Sequence, residues 1–195
     1  MQSKFFAFMS RMKYINRWSL MRNTVTENIA EHSLNVSMIA HCLALIENKL
    51  YGGNYNEYKI GMLGVYHETS EVITGDLPTP IKYFSAQMRD SYKAIEKIAN
   101  DQLIATLPKE FQDDFDAIIN ADEKEYALVK RADKITAYIK CIEELACGNN
   151  EFKKAEKSIL AELKTCEEKS VKYFLDVFIP AYKMSLDELG GRDII

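Results

Sequence analysis

The histidines of this sequence, together with three acidic residues, are its best candidates for chemistry. The chain contains three histidines, at positions 32, 41 and 67. His32 lies three residues after Ile29 and four before Val36, on the inward-facing stripe of a predicted helix. His41 is nine residues further on, about 900° around a helix at roughly 100° per residue. We therefore interpret His32 as an inward-facing candidate and His41 as a surface residue.

A second candidate group follows in the next predicted helix. His67 and Glu71 share one helix face at i, i+4 spacing, and Glu68 lies one step around. A neutral imidazole with adjacent carboxylates can hold a divalent cation, and a further carboxylate can deprotonate a bound water. The alternative is that His67 is an ordinary core residue and the two glutamates are solvated.

Asp133 completes the pattern. It stands among cations in Lys130-Arg131-Ala132-Asp133-Lys134, where a single carboxylate would ordinarily be a surface residue. The order of the candidates changes that interpretation, because His32, then His67-Glu68, then Asp133 occur on separate predicted helices.

The elements that must position these residues are helical. Apolar residues recur at helical spacing, and no segment alternates as a strand would. Glycine (8) and proline (4) are scarce, which favours long elements. The predicted helices cover about 29–50, 56–74, 85–106, 111–120 and 123–147, with one or two more over 152–189, interrupted at Pro180. The segment 76–80, with two prolines, is predicted to be non-helical. We expect an all-α, single-domain helical bundle.

Composition excludes several classes of protein. With 47% hydrophobic residues the 195-residue chain can form one ordinary core, so it is not intrinsically disordered. A net charge of −4 without a dense basic run argues against a nucleic-acid polymer as partner. No apolar run approaches the ~20 residues of a membrane span and no signal segment is evident, so we expect no membrane and a cytoplasmic location. The cysteines at 42, 141, 147 and 166 are interpreted as reduced thiols.

Longer motifs extend the histidine and acid pattern over nearly the whole chain. They are Ile15-Asn16-Arg17-Trp18-Ser19-Leu20-Met21-Arg22-Asn23, Glu27-Asn28-Ile29-Ala30-Glu31-His32-Ser33-Leu34, Tyr66-His67-Glu68-Thr69-Ser70-Glu71-Val72, the segment Thr74-Gly75-Asp76-Leu77-Pro78-Thr79-Pro80-Ile81-Lys82-Tyr83-Phe84, and residues 143–152. With these motifs the chain resembles the HD-domain metal-dependent phosphohydrolases, and within them the bacterial 5′-deoxynucleotidase branch. The Gly-Asp-Leu-Pro-Thr-Pro loop beside Arg-Trp is the most specific part of the resemblance.

The resemblance implies a function and a set of site residues. It implies an HD-type bundle over residues 1–195 that hydrolyses deoxyribonucleoside 5′-monophosphates, contains one divalent metal cation (Co²⁺, Mn²⁺ or similar), and forms a homodimer. The implied metal ligands are His32, His67, Glu68 and Asp133. Glu71 corresponds to the catalytic glutamate and Arg17 to the arginine that orients the phosphate. The implied substrate contacts are Arg17, Trp18, Glu68, Asp76, Leu77, Pro78, Thr79 and Asp133.

One departure from the family pattern leaves alternatives open. The family has aspartate directly after the second histidine, whereas this chain has Glu68, which adds a methylene. The alternatives are an HD phosphohydrolase for another nucleotide, such as a triphosphate or a signalling nucleotide, and a catalytically silent nucleotide-binding module.

Two further interpretations concern other segments. The aromatic residues 173, 174, 178 and 182 are expected in the core or a subunit interface, and Glu143-Glu144 and Glu167-Glu168 on solvated faces.

Overall fold

The computed structural model describes residues 2–82 and 84–194. Met1, Tyr83 and Ile195, which the predicted domain includes, lie outside this range. The described residues form eleven α-helices: α1 Phe5–Met9, α2 Ile29–Leu50, α3 Glu57–Tyr66, α4 Glu71–Thr74, α5 Thr79–Lys82, α6 Ala86–Ile104, α7 Lys109–Ile119, α8 Glu123–Ala146, α9 Lys153–Lys164, α10 Lys169–Val177 and α11 Leu186–Ile194. Three 3₁₀ helices lie at Met12–Tyr14, Asn150–Phe152 and Ile179–Lys183.

The predicted all-α fold is confirmed, since no strand occurs among the described residues apart from one isolated bridge between Asn16 and Asn28. The bounds of α2, α6, α7 and α8 agree with the predicted helices to within about two residues. The short helix α1 and the 3₁₀ turn after it were not predicted. They are too short to show a clear hydrophobic period.

The prediction of one continuous helix over residues 56–74 was wrong. The structure ends α3 at Tyr66 and begins α4 at Glu71, with a turn between them. The Thr69 hydroxyl donates to the Tyr66 carbonyl at 2.6 Å, and the Thr69 amide donates to the same carbonyl at 3.1 Å. These local bonds tighten the chain into a turn and compete with a regular helix.

Proline was misread in the segment 76–80. Predicted to be non-helical, this segment contains the start of α5 at Thr79, with Pro80 in the first turn, where a missing amide donor costs no hydrogen bond. The predicted interruption at Pro180 is confirmed, since α10 ends at Val177 and Pro180 lies at the start of a 3₁₀ helix. A further break, at residues 165–168, was not predicted. The C-terminal region therefore contains three α-helices rather than one or two.

The core forms around α2, which packs against both α3 and α8. Its fully buried residues include Val36, Leu43, Ile60, Leu128 and Ile135. By length and mean hydropathy α2 also matches a membrane-spanning helix, but half of that window is buried inside the protein. The core position of α2 accounts for its apolar composition.

The backbones of α2 and α3 approach closely at Gly64. A Cβ atom added at Gly64 would lie 2.6 Å from the Cα and 2.8 Å from the amide nitrogen of Ser37. No side chain larger than hydrogen fits there unless the two helix backbones separate. Gly61, one turn earlier in α3, has ordinary space, since an added Cβ would lie 3.5 Å from the His41 Cβ.

We predict that Gly64→Ala lowers the free energy of unfolding by about 1–3 kcal/mol, because the added methyl group forces α2 and α3 apart. Gly61→Ala is the matched control, and it should leave stability unchanged or raise it by up to about 1 kcal/mol through helix propensity. Urea denaturation of both variants measures this difference. Equal stability of the two variants would contradict the prediction.

Candidate active site

Four of the predicted site residues meet at one point. His32 lies one turn into α2, Asp133 lies midway along α8, and His67 and Glu68 follow the end of α3. Their ligand atoms all lie within 4.8 Å of one another. His32 Nε2 is 2.9 Å from Asp133 Oδ1, and His67 Nε2 is 3.3 Å from Glu68 Oε1. The extra methylene of Glu68 therefore does not keep its carboxylate out of the group.

The two imidazoles are oriented as metal ligands require. His67 Nδ1 lies 2.8 Å from the carbonyl oxygen of Gly64, and because a carbonyl only accepts, Nδ1 carries the proton. The Nε2 atom of His67 is buried and lacks a hydrogen-bond partner, and the Nε2 atom of His32 is buried against Asp133 Oδ1. Two buried imidazole nitrogens that face two carboxylates form a donor set that fits a divalent cation.

Glu71 begins α4 next to this group and is 4% exposed. Burial and the nearby negative charge of Glu68 raise the pKa of Glu71 well above its ordinary value. Its Oε2 atom is buried without a hydrogen-bond partner. A buried carboxyl group of raised pKa beside a metal-ligand set can serve as a proton acceptor or donor.

Arg17 supplies positive charge to the same site. Its Nη1 donates to Glu68 Oε1 at 3.3 Å, and its Nη2 lies 3.7 Å from Asp133 Oδ1. Burial opposes the charge of Arg17, but Asp133, Glu68 and Glu27 outweigh it and raise its pKa. Burial likewise opposes ionisation of Asp133, and its pKa is nevertheless lowered by His32 and Arg17. The guanidinium of Arg17 therefore stays positively charged beside these carboxylates.

A cavity of about 380 Å³ opens beside these residues. Of the predicted substrate contacts, Arg17, Trp18, Asp76, Pro78, Thr79 and Asp133 line it, whereas Glu68 and Leu77 are not among its lining residues. The far wall is largely apolar and was not predicted. It consists of Leu20, Met21, Ala137, Ala155 and Ile159, with Lys134 and Ser158.

Trp18 is held in an unusual backbone conformation. Its φ of 58° is the only positive value among the described non-glycine residues. The Asn23 side-chain amide donates to the Trp18 carbonyl at 3.2 Å, and the indole ring packs on Phe152 with centroids 5.3 Å apart. Strained backbone persists where its surroundings fix it, and such residues cluster at functional sites.

The segment that contains Trp18 is anchored to α8 by a buried ion pair, which corrects the expectation that Glu144 is solvated. Glu144 is 1% exposed, accepts from the amides of Thr24 and Val25, and pairs with Lys140 at 2.5 Å. Burial opposes its ionisation, but hydrogen bonds from Lys140, Asn149 and these amides lower the pKa of Glu144 to about 2. The i, i+4 spacing of Lys140 and Glu144 within an apolar stretch is the sequence signal for this pair.

Two other predictions are refined by the structure. His41 lies outside the group of proposed metal ligands, in agreement with its prediction as a residue of another face. It is, however, half-buried beside Tyr58 rather than on the open surface. Of the C-terminal aromatic residues, Phe174 lies in the core and Tyr173 packs against it, whereas Phe178 and Tyr182 are substantially exposed.

Comparison with known proteins agrees with this geometry. The family model described as "5'-deoxynucleotidase YfbR-like" matches residues 4–182. A protein named 5'-deoxynucleotidase YfbR from Escherichia coli O1:K1 is 52% identical over 192 residues, covering 97% of this chain and 96% of that protein. A protein of the same name from Shigella boydii serotype 18 is 51% identical over 192 residues, covering 97% of this chain and 96% of that protein.

Solved structures show the same fold. An HD-domain phosphohydrolase from Listeria innocua superposes with a TM-score of 0.78 at 25% identity, covering 98% of this chain and 90% of that one. A cyanophage S-2L HD phosphohydrolase, described as bound to dA and one catalytic Zn²⁺ ion, superposes with a TM-score of 0.62 at 17% identity, covering 92% and 96%. With the family model matching most of the chain and relatives identical at half of the aligned positions, this chain belongs to the YfbR-like 5'-deoxynucleotidase family of HD-domain phosphohydrolases.

Proposed function

We propose that this protein hydrolyses deoxyribonucleoside 5′-monophosphates to the deoxynucleoside and phosphate, with one divalent cation. The observation that carries the proposal is the convergence of two imidazoles and two carboxylates within 4.8 Å, directly beside Arg17 and the cavity. Membership of the 5'-deoxynucleotidase family supports the choice of substrate.

The proposed metal ligands are His32, His67, Glu68 and Asp133, and Co²⁺ or Mn²⁺ is the expected ion. A divalent cation held by these residues would lower the pKa of a coordinated water and offset negative charge on the phosphoryl oxygens. Both ions accept mixed nitrogen and oxygen ligands.

Glu71 is the proposed general base. Its carboxylate accepts the proton of the attacking water, and burial makes it a stronger base, once ionised, than an exposed glutamate. Glu71 lies beside Glu68, one of the proposed metal ligands, so its carboxyl group is close to where the attacking water would be held.

Arg17 is the proposed phosphate ligand. Its planar guanidinium can donate two parallel hydrogen bonds to phosphoryl oxygens, and it lines the cavity next to Asp133. Its charge offsets the negative charge that develops during in-line attack. We therefore propose that the substrate phosphate binds beside Arg17, next to the proposed metal ligands.

Trp18 and the segment Asp76-Leu77-Pro78-Thr79 are proposed to enclose the sugar and base. An indole against C2′ leaves no space and no hydrogen-bond partner for a 2′-hydroxyl, so it favours deoxyribose by exclusion. The fixed backbone of Trp18 makes this exclusion effective, since the ring cannot easily move aside.

We further propose that residues 1–195 form one domain and that the protein is a cytoplasmic homodimer. It acts on single nucleotides and binds neither nucleic-acid polymers nor membranes. The exposed apolar residues Val177, Phe178 and Tyr182 support self-association. Sedimentation velocity should show twice the 22.4 kDa chain mass. A monomer at micromolar concentration would contradict the dimer.

The reaction is tested by phosphate release from metal-stripped protein resupplied with Co²⁺ or Mn²⁺. Deoxyribonucleoside 5′-monophosphates should be hydrolysed and the matched ribonucleotides spared. Glu71→Gln should lower kcat by about 10²–10⁴-fold, because it removes the proton acceptor. Glu123→Gln, at an exposed position of α8, is the control that keeps wild-type activity. Release that needs no metal, equal rates on ribonucleotides, or faster turnover of triphosphates would each contradict the proposal.

The Glu68 substitution has its own test. We expect Glu68→Asp to weaken Mn²⁺ binding at least tenfold, since the carboxylate withdraws by about one methylene from a site that tolerates roughly 0.5 Å. Glu31→Asp deletes a methylene from an exposed residue of α2 and should leave Mn²⁺ affinity unchanged. Isothermal titration calorimetry measures both. Equal or tighter binding by Glu68→Asp would show that the site is not built around glutamate.

A further inference from the structure

Glu27 contacts three parts of the site at once and has no role in the function proposed above. Its side chain is 12% exposed. Its Oε1 lies 3.6 Å from His32 Nδ1, and its Oε2 lies 3.4 Å from Arg17 Nε and accepts from Trp18 Nε1 at 3.2 Å. One carboxylate therefore faces a metal ligand, the phosphate ligand and the cavity wall.

The backbone fixes Glu27 in this position. The Arg17 amide donates to the Glu27 carbonyl at 2.9 Å, and the Ile29 amide donates to the Ile15 carbonyl at 2.9 Å, on either side of the Asn16–Asn28 bridge. Residues 15–17 and 27–29 thus run antiparallel. Asn28, the next residue, caps α2, so Glu27 lies directly before the first turn of the helix that contains His32.

The contact with His32 favours Nε2 as the nitrogen that binds a metal. His32 Nε2 faces the proposed ligand Asp133, and Nδ1 lies 3.6 Å from Glu27 Oε1. A carboxylate on the Nδ1 side favours a proton there, which leaves the lone pair on Nε2 directed at the ligand group. His67 has instead the neutral Gly64 carbonyl on its Nδ1 side. Of these two imidazoles, His32 is therefore the one with a carboxylate on the side away from the ligand group.

The contacts with Arg17 and Trp18 act on the substrate side. Pairing of Nε with Glu27 leaves the Nη1 and Nη2 end of the guanidinium directed at Glu68 and Asp133. The bond from the indole nitrogen fixes the ring of Trp18, whose backbone is already constrained at positive φ. Loss of the Glu27 charge would release both side chains together.

We propose that Glu27 is a positioning residue that couples the metal ligand His32 to Arg17 and Trp18 at the substrate cavity. This inference rests on the proposed metal site, and it adds a residue that acts through three others without touching the reacting atoms. It requires that metal affinity and the environment of Trp18 change together when Glu27 is altered.

The test uses Glu27→Gln, which keeps the shape and removes the charge, and Glu27→Asp, which keeps the charge. Glu31→Gln is the matched control, because Glu31 is exposed four residues away and glutamine also suits its capping position. Co²⁺ affinity is measured by titration of metal-stripped protein. Since Trp18 is the single tryptophan, its fluorescence and acrylamide quenching report the cavity wall.

Glu27→Gln should weaken Co²⁺ binding about 10–100-fold and increase quenching of Trp18, whereas Glu31→Gln should change neither. Glu27→Asp should recover part of both losses, which a purely structural role would not require, and it carries the test if Glu27→Gln fails to fold. Wild-type Co²⁺ affinity in Glu27→Gln, or in Glu27→Asp where Glu27→Gln does not fold, would overturn the proposal, as would weakened Co²⁺ binding with unchanged Trp18 quenching. A wild-type protein that binds no Co²⁺ would overturn the proposed metal site, and this inference with it.

Discussion

The backbone contact between α2 and α3 at Gly64 and Ser37 is the constraint on which the site depends. Because no side chain separates the two helices there, the end of α3 lies against the beginning of α2, and the rings of His32 and His67 are 5.3 Å apart. The Gly64 carbonyl in the same contact orients His67. Close packing of helices and orientation of a ligand thus come from one glycine. The core around α2 and α8 then brings Asp133 to His32.

The second constraint is electrostatic. Glu68, Glu71, Asp76 and Asp133 lie in one half-buried region with Arg17 as their principal cation. Burial penalises each charged carboxylate, and burial together with the negative charges of Glu68 and Asp76 strongly raises the pKa of Glu71. Such a group is stabilised by a divalent cation, and Arg17 next to it can meet an anionic phosphate. The same charges therefore favour a metal and a phosphomonoester side by side.

The irregular segment between residues 15 and 28 is held in place by specific contacts, although it contains little regular structure. An antiparallel bridge joins its ends, and the buried pair of Lys140 and Glu144 ties its middle to α8. A buried ion pair of this kind is costly to break, since either partner alone is an uncompensated charge. The segment can therefore hold Trp18 in a strained conformation at the cavity.

The helical class, the bounds of the long helices and the candidate site residues could be predicted from the amino-acid sequence, because hydrophobic period and motif order are local properties of the chain. His32, His67, Glu68 and Asp133 were identified from their order and from the family resemblance, and the structure brings them together. Local reasoning failed at the turn after Tyr66, at Pro80 and at Glu144. The contact at Gly64, the burial of Glu144 and the position of Glu27 became evident only in the folded chain, since each depends on residues distant in the sequence that pack together only when the helices do.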